Sequence, residues 1–566
     1  MDLPKITDPK FNKNISKKMR KYKINKERYS LNKLCKNKSF KLQISQRFVA
    51  DFISPKTKYK GLLIYHGIGS GKTCASINIL EQWKKKKKIL VVLPASLISS
   101  YYEQLRSQCT KNEYISNKER SLLEKYDPRD NEYQEIITKV NKKINKYYTI
   151  LSYNKFVTAI EKRKIKLTNH IIVIDEIQNI ISETGKYYKK ISKFILKSPS
   201  NTRIVLLSAT PIFNKPYEIA LTLNLLKIPR PFPKSIEFNK MFLRMKKNKS
   251  GICKYTAKNL IEFKKLIKGY ISFYAGAPLV AFPNTIVKYV RCEMSEYQFK
   301  SYETVASQEG PFRTGDILKM PTDFYMGSRI LSNVAFPKRL IGEEGYDELS
   351  DKHMMLQYLK KYSCKFYKIL KTIKKSEGPV FIYSNFKEYG GLKTLIKILE
   401  FHNYKNFIEE GCGKKRFAVW SSDLSNNKKD IIKCIFNKPE NEDGSKIQII
   451  LGSPSIKEGV SLLRVRQVHI LEPYWNFARL KQIIGRAVRF CSHKDLPRDE
   501  RLVEIFIYIA SHPDVDMSID KYILSLAREK ESIISEFENA IKESAVDCRL
   551  FYNANIKYQD YKMVCD

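Results

Sequence analysis

The segment Gly67–Thr73, which reads GIGSGKT, constrains the fold more than any other feature of this 566-residue chain. It follows a short apolar run, Leu62–Tyr65, and leads into a run of helical character that begins near Cys74. Glycines let backbone N–H groups turn inward around phosphate oxygens, and the N-terminus of the following helix adds positive potential. The pattern therefore predicts a strand, a phosphate-binding loop and a helix, although the strict pattern has glycine where this chain has His66. The predicted phosphate-loop residues are Gly67, Gly69, Ser70, Gly71, Lys72 and Thr73.

Other short apolar runs lie on both sides of an irregular stretch in the middle of the chain. Each is too short for a helix and lacks the polar alternation of a half-exposed strand. Strands that are buried on both faces of a parallel sheet have this composition. We therefore predict an α/β fold with two parallel-sheet blocks. The predicted strands lie at Leu62–Tyr65, Ile89–Leu93, Thr149–Leu151, Ile171–Ile174, Ile204–Leu207, Pro379–Tyr383, Ile447–Leu451 and Val468–Leu471.

The two blocks divide the chain into five predicted regions. The first is a basic arm that we interpret as a solvated tail, although its tyrosines and lysines could instead contact phosphates. A proline-rich and aromatic-rich insert separates the blocks, and the C-terminal end has helical periodicity that we expect to pack on the second block. The predicted boundaries are 1–39 for the arm, 40–228 for the first block, 229–351 for the bridging insert, 352–515 for the second block and 516–566 for the helical extension.

The chain carries a formal net charge of +46, from 104 Lys and Arg against 58 Asp and Glu. Such a charge attracts polyanions, but an AT-rich coding sequence produces the same lysine excess, and both interpretations stay open. The run Lys84–Lys88 is interpreted as a solvated helix end, where cations complement the helix dipole. The 11 cysteines are scattered, which favours reduced thiols in an intracellular compartment. We expect no membrane partner, because the apolar stretch Ile89–Ile98 is too short to span a bilayer.

A second candidate motif follows about a hundred residues after the glycine-rich loop. The apolar strand that begins at His170 ends in two adjacent carboxylates, Asp175 and Glu176. We predict that Asp175, together with Thr73, ligates Mg²⁺, and that Glu176 orients or deprotonates the attacking water. On its own, such a pair could be a solvated strand end without function, and the preceding phosphate loop is what favours the catalytic interpretation.

The third motif, QIIGRAVR, occupies residues 482–489. Arg486 and Arg489 are three residues apart, so on a helix they would share one face. We predict that both act as arginine fingers on the γ-phosphate, with Gln482 as a further catalytic residue. A solvated basic helix or a contact with a nucleic-acid backbone is the alternative interpretation.

Taken in order, these motifs resemble those of the superfamily 2 helicases and translocases over about residues 40–515. The resemblance implies two RecA-like lobes that use ATP and Mg²⁺ and move on nucleic acid. It also implies that Gln46 reads adenine and that Gly459 contacts the nucleotide. The coupling residues that it implies are Gln178, Ser208, Ala209 and Thr210, and the nucleic-acid contacts are Pro94, Ser96, Ser384 and Ser455.

A narrower resemblance links the chain to the transcription ATPases of large DNA viruses, which in poxviruses include nucleoside triphosphatase I and the small subunit of the early transcription factor. It depends on residues 325–337, 383–392, 472–476, 492–493 and 545–548. The resemblance implies DNA-dependent ATP hydrolysis, with DNA favoured over RNA. It also implies a viral RNA polymerase or transcription-factor subunit as partner, and a location in the virion and the host cytoplasm.

Two other functions stay open at this point. One is a strand-separating helicase of replication or repair, for which the sequence shows no recognisable wedge. The other is a non-catalytic scaffold that binds the polymerase, against which the intact loop and carboxylate motifs argue. Tyr474 and Trp475 could stack on a base or could anchor the second block.

Overall fold

The computed structural model describes residues 3–25, 30–35, 40–67, 69–126, 130–247, 253–312, 318, 324–457, 460–556 and 563–566. These residues form two compact units. Lobe 1 consists of the described residues within Met1–Met245, Tyr255–Pro278 and Ile533–Asp566. Lobe 2 consists of those within Lys246–Lys254 and Leu279–Ser532. Both lobes are RecA-like, as the motif order implied.

The strands of the described residues, in chain order, are β1 (Gly61–His66), β2 (Lys88–Leu93), β3 (Tyr148–Ser152), β4 (His170–Ile174), β5 (Arg203–Ser208), β6 (Leu243–Lys247), β7 (Cys253–Ala257), β8 (Ile271–Tyr274), β9 (Asn284–Glu293), β10 (Val380–Tyr383), β11 (Lys405–Asn406), β12 (Arg416–Trp420), β13 (Ile449–Gly452), β14 (Gln467–Ile470) and β15 (Leu502–Ser511).

The helices are α1 (Phe11–Lys18), α2 (Leu31–Cys35), α3 (Ile44–Phe52), α4 (Lys72–Trp83), α5 (Ile98–Leu105), α6 (Asn117–Lys125), α7 (Asn131–Asn145), α8 (Tyr153–Glu161), α9 (Lys186–Leu196), α10 (Glu218–Asn224), α11 (Ser235–Phe242), α12 (Leu260–Ile267), α13 (Glu296–Glu309), α14 (Met326–Asn333), α15 (Gly342–Asp347), α16 (Asp351–Met354), α17 (Leu356–Tyr362), α18 (Cys364–Ile373), α19 (Leu392–Phe401), α20 (Phe407–Glu410), α21 (Asn426–Phe436), α22 (Phe477–Ile484), α23 (Ile519–Glu543) and α24 (Cys548–Asn555).

Lobe 1 is built on a parallel sheet with strand order β3-β2-β4-β5-β1-β8. Strands β1 and β8 are buried along their whole length, and β2, β4 and β5 are buried except at their first residue. This burial explains the near-continuous apolar runs of the sequence. The phosphate loop follows the carboxyl end of β1, and the Asp175–Glu176 pair follows the carboxyl end of β4. Both motifs therefore lie at one edge of the sheet, where parallel α/β proteins bind their ligands.

Lobe 2 contains a second parallel sheet with strand order β11-β12-β13-β10-β14-β15-β9. Its central strands β10, β13 and β14 are buried, although β14 includes the polar residues Gln467 and His469. The prediction of an α/β fold with two parallel sheets is thus confirmed. The motif residues of this lobe follow β10, β13 and α22.

The N-terminal region differs from the predicted solvated arm. Helix α1 and the turn after it bury Phe11, Ile15, Met19 and Tyr22 in the core of lobe 1. Their spacing places these side chains on one helical face, which outweighs the basic composition of the segment. The first residues therefore extend the lobe 1 core.

The predicted boundaries also differ from the observed units at two further places. The insert predicted at 229–351 is no separate unit, because its described residues are divided between the two lobes. The C-terminal residues from Ile533 onward belong to lobe 1, whereas we predicted packing on the second block. Asn12 Nδ2, for example, donates to Ser544 O at 3.1 Å.

Two cysteine pairs differ from the predicted reduced thiols. Cys74 is bonded to Cys109 and Cys548 to Cys565, with Cα–Cα distances of 5.6 and 5.7 Å. Sequence spacing could not indicate these pairs, because the fold brings their elements together. Among the helices of the described residues, none has both the length and the apolarity needed to cross a bilayer.

Candidate active site

The phosphate loop has the backbone geometry that its glycines predict. Gly69 and Gly71 have φ angles of 77° and 68°, in the left-handed region that other residues adopt at a cost. A Cβ atom on Gly67 would clash with the carbonyl oxygen of Ala275. The Ser70 hydroxyl donates to Gly67 O at 2.7 Å and holds the turn closed. The loop is thus a cradle that side chains would fill, as a phosphate site requires.

Lys72 and Gln46 both contact the loop backbone. Lys72 opens α4, and its Nζ donates to the carbonyl oxygen of His66 at 3.0 Å. Gln46 Nε2 donates to Ser70 O at 3.3 Å and to Gly71 O at 3.1 Å. The structure therefore places the predicted adenine-reading glutamine beside the phosphate loop, and its contact with adenine stays a prediction.

His66, the residue that departs from the strict loop pattern, belongs to a buried hydrogen-bond relay. Its Nε2 lies 2.8 Å from Ser272 Oγ, and the Ser272 hydroxyl donates to the Asp547 carboxylate. Because Ser272 donates to Asp547, the relay assigns the His66 proton to Nε2, which donates to Ser272. Burial lowers the pKa of His66 to about 3 and raises the pKa of Asp547 to about 7. The relay joins the C-terminal segment of lobe 1 to the strand that precedes the phosphate loop.

Asp175 and Glu176 directly follow β4 and have different environments. Asp175 is buried, and this burial, with a smaller effect from the Glu176 carboxylate, raises its pKa to about 7. The charge of Lys72 and a 2.8 Å hydrogen bond from Glu176 N oppose that rise. A bound cation would offset the cost of burying this carboxylate. Glu176 has a left-handed φ of 49°, which is uncommon for a residue other than glycine.

A chain of hydrogen bonds leads from Glu176 to the segment after β5. Gln178 Nε2 donates to Glu176 Oε2 at 2.5 Å, and Ser208 Oγ donates to Gln178 Oε1 at 2.7 Å. Thr210 N in turn donates to Ser208 Oγ at 2.9 Å. Ala209 lies between the last two residues. The structure thus brings together all four residues that the resemblance implied for coupling.

The predicted nucleic-acid residues have unequal access to solvent. In lobe 1, Pro94 is buried at the end of β2, and Ser96 is exposed two residues later. In lobe 2, Ser455 is half-buried and its hydroxyl lies 3.0 Å from Ser453 Oγ. Ser384 is fully buried, and its hydroxyl donates to Glu472 Oε1 at 2.9 Å. Pro94 and Ser384 are therefore both buried, and the contacts of all four residues with nucleic acid stay predictions.

Arg486 and Arg489 do not lie on a helix, since α22 ends at Ile484 and Gly485 follows it. Both guanidinium groups nevertheless converge on one carbonyl oxygen, that of Val460, at 3.3 and 3.1 Å. Arg486 Nε also donates to the backbone oxygen of Gln482 at 3.2 Å. The predicted Gly459 lies outside the described residues.

Lobe 2 also holds a buried polar network that the motif analysis did not identify as one unit. Lys365 and Asp520 form an ion pair at 2.7 Å with both side chains fully buried. Lys365 Nζ donates to Asn333 Oδ1 at 2.9 Å, and Asn333 Nδ2 donates to Gly390 O at 3.0 Å. Asn333 and Gly390 lie in segments that carry the viral resemblance. No local signal in the sequence pairs Lys365 with Asp520.

The aromatic pair of lobe 2 is a packed anchor and not an exposed stacking platform. Trp475 and Tyr474 are 6% and 8% exposed. The Arg329 guanidinium lies 5.1 Å from the Trp475 ring centre and 5.0 Å from that of Phe386. Of the two alternatives, these contacts support the anchor.

The residues of lobe 1 fit a nucleoside triphosphate with bound Mg²⁺. The glycine cradle leaves room for phosphate, Lys72 supplies a cation, and the Thr73 hydroxyl and the Asp175 carboxylate are oxygen donors of the kind that Mg²⁺ prefers. The fold and the site together define a P-loop ATPase with two RecA-like lobes.

Comparison with known proteins gives the family. The chain matches the SNF2-related domain over residues 28–343 and the helicase conserved C-terminal domain over residues 364–491. It is 46% identical to "Putative ATP-dependent RNA helicase R563" of Acanthamoeba polyphaga mimivirus, over 99% of this chain and 98% of that protein. It is 28% identical to "Putative ATP-dependent RNA helicase R350" of the same virus, over 91% and 75%. It is 26% identical to "Termination factor NPH-I homolog" of African swine fever virus, over 86% and 76%.

The chain therefore belongs to the SNF2-related helicases of superfamily 2, and it is a nucleic-acid-dependent ATPase with viral relatives.

Proposed function

We propose that this ATPase moves along DNA and acts in viral transcription, at initiation or at transcript release. The observation that carries the proposal is the hydrogen-bonded chain Glu176–Gln178–Ser208–Thr210. It links the carboxylate proposed to act on water to the segment that follows β5, so a change at the phosphate end can shift that segment. The name of the African swine fever virus relative supports a transcription role.

The residues of lobe 1 have distinct proposed roles in hydrolysis. Lys72 stabilises the charge of the β- and γ-phosphates, while Gln46 contacts the adenine. Thr73 and Asp175 hold Mg²⁺, which when bound neutralises phosphate charge that develops during transfer. Glu176 orients the attacking water and accepts its proton.

The residues of lobe 2 have proposed roles in stabilising the transition state and in contacting nucleic acid. Arg486 and Arg489 stabilise charge on the transferred phosphoryl group, and Gln482 supports them. Gly459 contacts the nucleotide. Ser455, together with Pro94 and Ser96 of lobe 1, contacts nucleic acid.

The proposed cellular setting follows from the relatives and the resemblance. We place the protein in virions and in the host cytoplasm, with a viral RNA polymerase or transcription-factor subunit as partner. The mimivirus relatives are named RNA helicases, which favours RNA unwinding as a second candidate function.

Two assays on the same protein separate these candidates. We expect DNA-stimulated ATP hydrolysis to displace a protein roadblock from DNA, while tailed DNA or RNA duplexes stay paired. Efficient unwinding of RNA duplexes would instead support the helicase function.

A variant of the hydrogen-bonded chain tests the coupling itself. Ser208→Ala removes the hydroxyl that bridges Gln178 and Thr210. We expect roadblock displacement per ATP hydrolysed to fall about tenfold, as one lost coupling of about 1.4 kcal/mol would give. Ser192→Ala, which changes a serine of α9 outside the site, is the matched control. Unchanged displacement per ATP in Ser208→Ala would contradict the coupling role.

A further inference from the structure

A basic concave surface lies at the amino-terminal edge of the lobe 1 sheet. It encloses a cavity of about 440 Å³ lined by Lys84–Lys88, Lys146, Tyr147, Asn169 and His170, among others. We call these residues the lysine cleft. The sequence alone indicated a solvated helix end for Lys84–Lys88. The structure shows instead that this run forms one wall of a cavity to which two other loops contribute.

The lysine cleft lies far from the phosphate loop. Lys88 and His170 begin β2 and β4, and Tyr147 directly precedes β3. The phosphate loop and Asp175 follow the opposite ends of the strands of this sheet. Strands of this length span about 15–20 Å, at about 3.3 Å per residue. A ligand in the cleft would therefore leave the nucleotide site free.

The cations of the cleft are incompletely neutralised. Lys84 forms ion pairs with Glu81 and Glu113, both at 2.8 Å. Lys87 Nζ donates to the neutral Asn169 Oδ1 at 2.9 Å. Within the part of the chain that the structure describes, no salt bridge is formed by Lys85, Lys86, Lys88 or Lys146.

Two half-buried members of the cleft, Lys87 and His170, have pKa values that are lowered mainly by burial. Burial lowers the pKa of Lys87, and the nearby Arg203 lowers it further. Burial likewise lowers the pKa of His170. The hydrogen bond with Thr168 O opposes this shift, and the charges of Lys88 and Lys87 lower the pKa a little further. Because like charges destabilise one another, a bound polyanion would stabilise the cluster.

Tyr147 indicates which polyanion fits. Its side chain is 42% exposed at the cleft, and the Lys84 ammonium lies 5.6 Å from its ring centre. An exposed ring beside backbone-binding lysines is the arrangement with which proteins hold unpaired bases. A duplex offers no unstacked base to such a ring, so the exposed ring favours a single strand.

We propose that the lysine cleft is a second nucleic-acid site, which binds the phosphates of a single-stranded segment while Tyr147 stacks on one of its bases. This second site goes beyond the proposed movement along DNA, because it would hold single-stranded nucleic acid at the edge of the lobe 1 sheet opposite the nucleotide site.

The test uses the full chain and a short labelled oligothymidylate, with oligouridylate as a parallel probe. Binding is measured at several salt concentrations, and stoichiometry by titration at low salt. The cleft variant is Lys85→Ala, Lys86→Ala and Lys146→Ala combined. Its matched control is Lys189→Ala, Lys193→Ala and Lys197→Ala, three exposed lysines on or next to α9 of the same lobe.

We expect the wild type and the control to bind two oligonucleotides per chain and the cleft variant to bind one. In the wild type, three phosphate contacts should contribute about 2 to the slope of log affinity against log salt at the second site, and the cleft variant should lack this contribution. Tyr147→Ala should weaken that site about tenfold, while Tyr147→Phe keeps the affinity. Because ATP hydrolysis is a separate measurement, loss of the second site with normal DNA stimulation would leave the proposed function intact.

Other outcomes would overturn the proposal. Equal stoichiometry and equal salt slope in the cleft and control variants would show that Lys84–Lys88 is only a solvated helix end with no role in binding. Displacement of the oligonucleotide by poly-glutamate, with no effect of Tyr147→Ala, would identify an acidic protein segment as the ligand.

Discussion

The two lobes share a sheet architecture but use their buried polar side chains differently. In lobe 1 the buried carboxylate of Asp175 lies at the predicted Mg²⁺ site, and its pKa is raised to about 7. In lobe 2 the comparable groups face one another, as in the fully buried pair of Lys365 and Asp520. Asp175 is thus available to a cation such as Mg²⁺, whereas Asp520 is already neutralised by Lys365.

This difference indicates how sequence motifs should be interpreted in the two lobes. A polar motif residue of lobe 1 that contacts the phosphate loop, as Gln46 and Lys72 do, is a candidate nucleotide ligand. The same kind of residue in lobe 2 can be a framework residue, as buried Ser384 and Glu472 show. The exceptions in lobe 2 are Arg486 and Arg489, which are only half-buried.

The largest effect, on ATP turnover, should come from changes at Arg486 and Arg489. We expect Arg489→Ala and Arg486→Ala each to reduce ATP turnover by about 10³-fold, because a finger arginine stabilises the transition state. Nucleotide affinity and DNA affinity should change little. Turnover at saturating DNA and filter binding of DNA are the measurements. If either variant lost DNA affinity and kept ATP turnover, that arginine would instead be a DNA contact.

The next effect should appear in the stability of lobe 2. Lys365→Ala leaves Asp520 buried without its cation, so we expect the free energy of unfolding to fall by about 3–5 kcal/mol. The combined change Lys365→Met and Asp520→Leu should restore most of it. Urea unfolding measures both, with Lys368→Ala on the exposed side of α18 as control. A loss below about 1 kcal/mol in Lys365→Ala would show that the pair is not a buried framework.

The smallest effect concerns the relay of lobe 1. The folded pKa of Asp547 is raised to about 7, above the value of about 3.9 expected in the unfolded chain. The folded protein therefore binds more protons between these values, and the stability from this group is lost as pH rises from about 4 to 7. Asp547→Asn removes this dependence of the free energy of unfolding on pH. The stability of the variant relative to the wild type should therefore rise between about pH 4 and pH 7, by at most about 4 kcal/mol.

Thermal unfolding at pH 5 and pH 8 measures this shift, with the exposed Asp347→Asn as control. Parallel pH dependence in the wild type and Asp547→Asn would mean that the carboxyl group does not titrate in this range.

Local sequence signals predicted the parts of the structure that depend on neighbouring residues. The apolar runs located strands such as β1, β4 and β10, which are buried over all or nearly all of their length, whereas β3 is only partly buried. The glycines of the phosphate loop predicted its left-handed turns because few other residues adopt them. The amphipathic spacing of Phe11, Ile15 and Met19 was also present in the sequence, but the basic composition obscured it.

Features that depend on distant residues could not be predicted in this way. His66 meets Ser272 over 206 positions, and Ser272 meets Asp547 over 275. Neither pairing has a local pattern, so His66 could be identified only as a departure from the loop motif. The predicted helix through Arg489 failed for a simpler reason, since α22 ends before Gly485 and the arginines follow in a turn.

The most direct test of the central claim is the rate of ATP hydrolysis by the wild type without nucleic acid and with single-stranded DNA, duplex DNA or RNA. Lys72→Ala, which removes the cation of the phosphate loop, serves as the blank, since loss of one such charge reduces rates by about 10²–10³-fold. We predict a low basal rate and strong stimulation by DNA, with weaker stimulation by RNA. A rate that no nucleic acid changes, or that Lys72→Ala retains, would contradict a nucleic-acid-driven P-loop ATPase.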